Sequence, residues 1–154
     1  MQIFIYLEIM KINSTKFNKI IEILKETAEK STMYHRHACA LLSGGKILSK
    51  CVNTQNKLSK HAEMNVIDDC VSRGISTKSF LIVLRISRTG TVHDSKPCSE
   101  CLKYMKKYGV KRICYSNNDG HFIIEKTYEI ITNYKTLYYR ILEKEGKVQV
   151  FKSG

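Results

Sequence analysis

The sequence of 154 residues has little of what marks a fibrous, disordered or repetitive chain. It contains a single proline, and neither an internal repeat nor a low-complexity segment is recognisable. Hydrophobic residues make up 43% of the chain and charged residues 26%, which is typical of a globular protein. A chain of this length usually forms one domain with a real core. We therefore predict a single domain over residues 1–154, with residues 1–12 as an N-terminal arm or strand and residues 134–154 as a C-terminal helix and tail.

Long apolar runs and secretion signals are also missing. Residues 1–10 read MQIFIYLEIM and carry Glu8. This stretch is shorter than the roughly 20 residues that a membrane-spanning helix needs, and it lacks a basic leader and a small-residue cleavage site. We therefore expect a cytoplasmic protein without a membrane partner. In that reducing compartment, the six cysteines favour metal binding over disulfides.

Acidic residues are scarce. Asp and Glu number 14 against 26 Lys and Arg, which gives a net charge of +12 and favours a nucleic-acid partner. The basic residues, however, are 20 lysines against 6 arginines, and 18 isoleucines stand against 4 alanines. An A/T-rich coding bias produces this composition whatever the function, and the lysines are scattered. The charge therefore carries reduced weight, and RNA or single-stranded DNA is kept as an alternative partner.

Hydrophobic spacing predicts alternating helices and strands. Residues 80–84 are continuously apolar, which is typical of a strand covered on both faces in a parallel sheet. Gly44-Gly45 and residues 117–120 (Asn-Asn-Asp-Gly) predict two hairpin turns. The order α-β-β-α-β-α-β-β predicts a three-layer α/β/α sandwich with a mixed five-stranded sheet. We predict helices over residues 16–30, 61–73 and 97–108, a looser helical pattern from residue 128, and strands over residues 37–42, 46–53, 80–84, 111–116 and 121–125.

Two short motifs carry the chemistry. Residues 61–63 read His-Ala-Glu and residues 97–101 read Pro-Cys-Ser-Glu-Cys, each at the start of a predicted helix. Together they give H-x-E … P-C-x-x-C, the pattern of zinc deaminases. One His and two Cys supply three ligands for Zn²⁺ and leave a fourth position for water, which is typical of a catalytic site. We therefore predict one Zn²⁺ per chain, bound by His61, Cys98 and Cys101.

The spacing of these residues fits a site between two helix N-termini. Cys98 and Cys101 are three apart, which places them on one face of a helix. His61 and Glu63 are two apart, but at a helix start both side chains can lean over the open end. The partial positive charge of the helix ends favours thiolates. Glu63 is not needed as a ligand, so we predict that its carboxylate takes a proton from water and gives it to the ring nitrogen and then to the leaving ammonia.

These motifs, in this order, resemble the cytidine deaminase-like superfamily over roughly residues 35–125. The resemblance implies a zinc-dependent hydrolytic deaminase with the ligands given above and with Glu63 as the proton shuttle. It also implies a substrate-binding set of Asn53, Ala62 and Pro97, with the backbone at Ala62 and Cys98 touching the reacting base. Relatives are commonly dimers or tetramers, so the resemblance implies a homo-oligomer.

Two features of the resemblance point to different branches of that superfamily. A His as first ligand is typical of the deoxycytidylate, tRNA and polynucleotide branches. The short Asn-Asp-Gly turn predicts an antiparallel final hairpin, as in the free-nucleoside and blasticidin branch. Because the chain is compact and carries no appended nucleic-acid module, we expect conversion of cytosine to uracil in a free nucleoside or nucleotide. An RNA- or single-stranded-DNA-editing deaminase is the alternative, and a zinc-stabilised binding protein without activity is the third hypothesis.

Overall fold

A computed structural model of the protein describes residues 13–55 and 59–132. Three α-helices and eight strands lie within these ranges, followed by a single 3₁₀ turn at Thr127–Glu129. In chain order they are α1 (Ser14–Ala28), β1 (Arg36–Ser43), β2 (Lys46–Val52), β3 (Thr54–Gln55), β4 (Ser59–Lys60), α2 (Ala62–Ser72), β5 (Phe80–Ile86), β6 (Val92–His93), α3 (Ser99–Lys107), β7 (Arg112–Ser116) and β8 (Phe122–Lys126).

The main sheet is mixed, as the sequence predicts. Its strand order is β2-β1-β5-β7-β8, and the short strand β6 pairs with β5 beside this path. Strands β5 and β7 are parallel, whereas β1 is antiparallel to both of its neighbours and β8 is antiparallel to β7. The parallel pair requires a crossover connection, which α3 supplies. The antiparallel final hairpin confirms the interpretation of the Asn-Asp-Gly turn.

Helices cover both faces of this sheet. On one face, Leu24 of α1 packs in a buried cluster with Ala40 of β1 and Ile82 of β5. On the other face, α2 and α3 form a second buried cluster with Leu41 and Val83 of the same two strands. Successive residues of a strand point to opposite faces, so a central strand covered on both sides is apolar throughout. The predicted α/β/α sandwich is confirmed.

Helix α1 follows the predicted amphipathic pattern closely. Its N-cap is Asn13, whose side-chain oxygen accepts a hydrogen bond from the Lys16 N–H at 2.8 Å. Burial of one large apolar side chain contributes about 1.5–3 kcal/mol, so the buried stripe holds the helix on the sheet. The apolar residues that form the helical stripe of this segment are all buried: Phe17, Ile20, Ile21, Leu24 and Ala28.

Two local predictions need correction, and the segment between the predicted strand 46–53 and the predicted helix 61–73 forms strands of its own. In that segment β3 and β4 pair, with Thr54 opposite Lys60. Pro97 was expected to begin a helix, but α3 begins at Ser99 because Cys98 takes the N-cap position. The helical pattern from residue 128 is wrong over the described residues, which form the 3₁₀ turn and then irregular backbone to Thr132. The predicted arm at residues 1–12 and the tail at residues 134–154 lie outside the described ranges. None of the described helices has both the length and the apolar character that a membrane crossing requires.

Both motifs lie where the start of β1 meets the ends of β2, β5 and β7, and we call this side of the main sheet the site edge. Here the start of β1 lies beside the end of β5, with Arg36 opposite Ile86. The first turn of α2 is attached to this edge because Asn65 Nδ2 donates to the Val52 carbonyl at the end of β2 (2.8 Å). The segment before α3 is attached to it through the Ser95 N–H, which donates to the carbonyl of Ser116, the last residue of β7 (2.8 Å). Both motif helices therefore begin at the same edge.

Candidate metal centre and active site

Each candidate ligand motif lies at a helix N-terminus. His61 is the N-cap of α2 and Cys98 is the N-cap of α3, and both have extended backbone, with ψ of 153° and 167°. The carbonyl of His61 accepts the first helical hydrogen bond of α2, from the Asn65 N–H, at 3.1 Å. An N-cap side chain projects over the open end of its helix, where backbone N–H groups have no partner within the helix. The two helix ends therefore present the imidazole and the thiol to a common space.

His61, Cys98 and Cys101 form what we call the ligand cluster. One ligand atom from each residue lies within 4.8 Å of the other two. His61 Nδ1 is 3.0 Å from Cys101 Sγ and 3.5 Å from Cys98 Sγ. Tetrahedral zinc with bonds of about 2.3 Å to sulfur and about 2.0 Å to nitrogen requires a sulfur–nitrogen separation of about 3.5 Å. The cluster therefore has the donor atoms of a zinc site, with the separation from Cys98 at the zinc-bound value and that from Cys101 somewhat shorter.

The cluster has three members rather than four. Among the described residues, no other His, Cys, Asp or Glu belongs to this group. Cys114 packs in the cluster of apolar side chains beneath α1, on the opposite face of the sheet. Four protein ligands are typical of structural zinc, whereas three ligands with an open position are typical of catalytic zinc. The described part of the chain therefore matches the catalytic pattern.

Hydrogen bonding and burial shift the pKa of each member of the ligand cluster. The hydrogen bond from Cys101 lowers the pKa of Cys98 to about 5, with a further contribution from His61. The same hydrogen bond and burial raise the pKa of Cys101. Burial alone would lower the pKa of His61, but its hydrogen bond with Cys98 and the charge of Glu63 raise it. The cluster thus holds one thiolate in a nearly dry space, since Cys98 is 4% exposed and Cys101 is fully buried.

Glu63 lies beside the ligand cluster without belonging to it. It is in the first turn of α2, and its side chain is buried. Its negative charge contributes to the raised pKa of the Cys101 thiol, after the hydrogen bond with Cys98 and burial. A buried carboxylate next to a cation site can accept and release a proton without occupying a ligand position.

Most of the hydrogen-bonding capacity of the Asn53 side chain is taken up by hydrogen bonds within the fold. Its Oδ1 accepts from Ser31 Oγ at 2.7 Å and from the His37 N–H at 3.0 Å, which uses both acceptor positions. Its Nδ2 donates to the His35 carbonyl at 2.6 Å. Only the second N–H of Nδ2 is left without a partner among the described residues. The substrate contact expected for Asn53 is therefore limited to this one donor.

Ala62 and Pro97 are adjacent in the chain to the two N-cap residues. Ala62 is fully buried and is the first residue of α2, so its N–H is one of the donors without a helical partner. Pro97 is buried immediately before Cys98. These positions place both residues at the open helix ends, beside the N-cap residues His61 and Cys98.

His37 and Arg85 also lie at the site edge, and neither belongs to a sequence motif. Burial lowers the pKa of His37 to about 4, although the charge of Glu63 acts in the opposite direction. His37 therefore presents a neutral imidazole within electrostatic range of both Glu63 and His61. Arg85 is the cross-strand partner of His37. Alternation along β1 could have placed His37 on the face of α2 and α3, but its pairing with a residue 48 positions away is not readable from spacing.

A side-chain bridge joins the two helices that carry the ligands. The Tyr104 hydroxyl of α3 and the Lys60 ammonium of β4 both donate to the carboxylate of Asp68 on α2. Burial would raise the pKa of Asp68, but these hydrogen bonds outweigh it and lower the pKa. The bridge links α3 to α2 and to the residue that precedes His61, so it helps to set the separation of the two helix ends.

Comparison with known proteins supports this picture. The chain is similar to the cytidine deaminase of Burkholderia pseudomallei, with a TM-score of 0.61 and 18% identity over 75% of this chain and 96% of that one. It is also similar to a mutant cytidine deaminase of Mycobacterium tuberculosis, with a TM-score of 0.53 and 17% identity over 80% of this chain and 97% of that one. At these identities the likeness shows a shared fold. No curated protein sequence matches the chain significantly.

The family assignment comes from the sequence of the domain itself. Residues 14–117 match the family described as the cytidine and deoxycytidylate deaminase zinc-binding region. This match includes helix α1, the parallel pair of strands, both motifs and all three members of the ligand cluster. The chain therefore belongs to the cytidine and deoxycytidylate deaminase zinc-binding family.

Proposed function

We propose that the protein is a zinc-dependent hydrolase that converts cytosine to uracil in a free nucleoside or nucleotide and releases ammonia. The observation that carries this proposal is the ligand cluster, with three ligand atoms within 4.8 Å of one another and the buried Glu63 beside them. His61, Cys98 and Cys101 would hold one Zn²⁺ per chain. When bound, the ion supplies Lewis acidity and makes water a nucleophile near neutral pH.

Glu63 is the residue that moves protons in this proposal. Its carboxylate takes a proton from the attacking water, transfers it to the ring nitrogen of cytosine and then delivers a proton to the departing amine. The burial of Glu63 supports this role, because a carboxylate that is shielded from bulk water exchanges protons with the substrate rather than with solvent.

The substrate contacts proposed for Asn53, Ala62 and Pro97 use N–H donors that have no hydrogen-bond partner in the described part of the chain, together with an apolar surface. The second N–H of Asn53 Nδ2 and the N–H of Ala62 are hydrogen-bond donors, and Pro97 forms an apolar wall next to Cys98. Donors fixed by the fold select a substrate with acceptors at matching positions. We extend the proposal to a homodimer or homotetramer that works in the cytoplasm, which sedimentation and microscopy of the tagged protein would test.

Ammonia release tests the proposed reaction. We would supply zinc-loaded protein with cytidine, deoxycytidine, their monophosphates, guanine and adenosine. We expect turnover of at least one cytosine compound and none of guanine or adenosine. If none of the six is deaminated, the proposal of a metabolic deaminase fails.

A polynucleotide-editing activity is the second candidate. It is favoured by the net charge of +12 and by Tyr34, an exposed ring near the site edge that contacts His35 at 4.9 Å and Arg88 at 5.1 Å. Such rings stack on unpaired bases, and binding that depends on phosphates weakens steeply with salt. A salt titration against a single-stranded oligonucleotide distinguishes the two candidates, because the absence of binding at about 50 mM salt excludes the editing activity.

A further inference from the structure

The site edge carries a cation, Arg85, that the proposed metal chemistry does not use. Arg85 is the sixth of seven residues of β5, with His37 of β1 and His93 of β6 as its cross-strand partners. Leu81 and Val83 of the same strand pack in the cluster beneath α2 and α3. Because strand side chains alternate, Arg85 points to this same face. It therefore shares a layer with the ligand cluster.

The guanidinium of Arg85 has no anionic partner in the described part of the chain. The side chain is half-buried, and its Nε is buried without a hydrogen-bond partner. The ion pairs among the described residues involve Lys25, Lys60, Arg73 and Lys103, and none includes Arg85. A buried donor without a partner is unfavourable, and a bound anion would satisfy it.

Arg85 lies close to the residues of the site. Its charge acts on both His35 and His37, and His37 in turn responds to Glu63 and His61. His37, the cross-strand partner of Arg85, thus feels the charges of the guanidinium and of both motif residues of α2. A ligand whose ring reaches the ligand cluster could extend past His37 to Arg85.

Arginine is concentrated at this edge. Three of the six arginines in the chain, Arg36, Arg85 and Arg88, lie at the start of β1 or the end of β5, whereas the 20 lysines are scattered. Arg36 is tied to the fold by a hydrogen bond to the Ser87 carbonyl, and Arg88 lies over the Tyr34 ring. Arg85 is thus the member of the group that faces the site with its fork unoccupied. Coding bias explains a surplus of lysine, but it does not explain this placement of arginines.

We propose that Arg85 binds the phosphate of a phosphorylated cytosine nucleotide while the base lies at the ligand cluster. The planar guanidinium matches two phosphate oxygens at once, which a lysine cannot do. The inference rests on the proposed deamination and narrows its substrate from nucleoside to nucleotide. Arg85 is then the residue that determines specificity, because a site built for a phosphate rejects an analogue that lacks it.

The first test measures binding without turnover. Zinc-loaded protein is titrated calorimetrically with deoxyuridine and with deoxyuridine monophosphate, the products of the two candidate substrates. We expect the monophosphate to bind about 10- to 100-fold more tightly, which is the range for hydrogen bonds to a charged group. R85Q should remove this difference, and R85K should retain part of it. R112Q is the matched control, because Arg112 is a half-buried strand arginine at the opposite end of the sheet.

The second test measures specificity with deoxycytidine, its 5′-monophosphate and a trinucleotide with central cytosine. R85Q should lower kcat/KM for the monophosphate by about 10- to 100-fold more than it lowers kcat/KM for deoxycytidine. A loss confined to the trinucleotide would also support phosphate binding and would identify the phosphate as an internucleotide one. Equal losses for nucleoside and nucleotide, or no preference of the wild type for any phosphorylated compound, would overturn the inference.

The two proposals fail in different ways. If no compound is deaminated but the monophosphate still binds through Arg85, deamination is wrong and the phosphate site stands. If nucleoside and nucleotide are deaminated equally well by wild type and R85Q, the deaminase stands and the phosphate site is wrong. Zinc content and thermal unfolding verify that each variant is folded. If R85Q does not fold, R85K replaces it in the test. The proposal requires that R85K binds the monophosphate more weakly than the wild type does, while its binding of the nucleoside changes less.

Discussion

Glu63 and Asn53 show how burial limits what a single residue can do. Both side chains are almost fully buried at the site edge, at 5% and 6% exposure. Three hydrogen bonds to the fold occupy most of the Asn53 amide, whereas the Glu63 carboxylate lies beside Cys101 and faces the ligand cluster. We therefore expect substitution of Asn53 to affect mainly stability, and substitution of Glu63 to affect mainly catalysis.

Glu63→Gln keeps the shape of the side chain and removes its basicity. We expect the variant to bind one zinc ion per chain, because Glu63 is outside the ligand cluster. Loss of the proton shuttle should lower kcat by at least about 100-fold, since general acid–base catalysis typically contributes 10²–10⁴. Zinc content and ammonia release measure the two effects. Glu22→Gln, at an exposed position of α1, is the control and should change neither. Full activity of E63Q would refute the assignment.

Asn53→Ala leaves the His37 N–H and the His35 carbonyl without their partner, and it leaves the Ser31 hydroxyl with only its longer bond, to the backbone carbonyl of residue 53 at 3.3 Å. Each unsatisfied buried group costs on the order of 1 kcal/mol or more, so we expect a loss of about 2–4 kcal/mol in the free energy of unfolding. Ser31→Ala removes one of these bonds and should cost about 1 kcal/mol. Urea unfolding at constant zinc measures both. An N53A variant of unchanged stability but strongly raised KM would mean that the amide serves the substrate rather than the fold.

At the scale of elements, the separation of the two helix ends decides whether the ligand cluster exists. Helices α2 and α3 share one buried cluster with the sheet, and the Asp68 bridge adds a polar link between them. Tyr104 further contacts Tyr108, with ring centroids 4.9 Å apart, so the hydroxyl that binds Asp68 is held by its own helix. Apolar packing places α2 and α3 on the same face of the sheet. The Asp68 bridge helps to fix the distance between their N-termini.

Asp68→Asn tests this bridge through its pH dependence. The pKa of Asp68 is lowered in the folded state, so its contribution to stability is present above the unfolded pKa, about 3.9, and is lost as the pH falls through the lower folded value. Because the Asp68 side chain is 38% exposed, we expect only about 0.5–1 kcal/mol at neutral pH after solvent screening. The stability difference between wild type and D68N should therefore be largest above about pH 4 and shrink steadily as the pH falls below that value. A difference that stays constant from neutral pH to the most acidic pH at which the protein folds would contradict this origin.

At the scale of the whole molecule, sequence patterns predicted those features that depend on residues close together in the chain. The apolar spacing of α1 and the continuous apolar run of β5 specified which side chains are buried, and the motif specified three donors for one ion. The start of α3 was misplaced because Cys98, rather than a conventional capping residue, occupies the N-cap. Arg85 could not be placed, because its position beside His37 depends on strand register between distant segments. Register is a property of the assembled sheet, and no local pattern carries it.

The relative contributions of the apolar core and of zinc to the stability of the whole domain give a last prediction. Two buried apolar clusters hold the sheet and helices together, and each contains residues from several elements. We therefore expect the protein to stay folded when zinc is removed by a chelator, unlike zinc fingers, which unfold without metal. Zinc that binds only the folded state should still raise stability, by about 4 kcal/mol at a concentration of 1,000 times Kd.

Thermal unfolding with and without zinc measures this effect, and far-UV circular dichroism reports whether the metal-free chain keeps its helices and strands. Cys98→Ser should retain the fold and lose most of the zinc-dependent rise in Tm, because it removes one of three ligands. Cys114→Ser, on the opposite face of the sheet, is the matched control and should keep that rise. Complete unfolding on chelation would show that the ion is structural, since the apolar clusters would then be insufficient without it. Such a result would favour a zinc-stabilised binding protein over a deaminase.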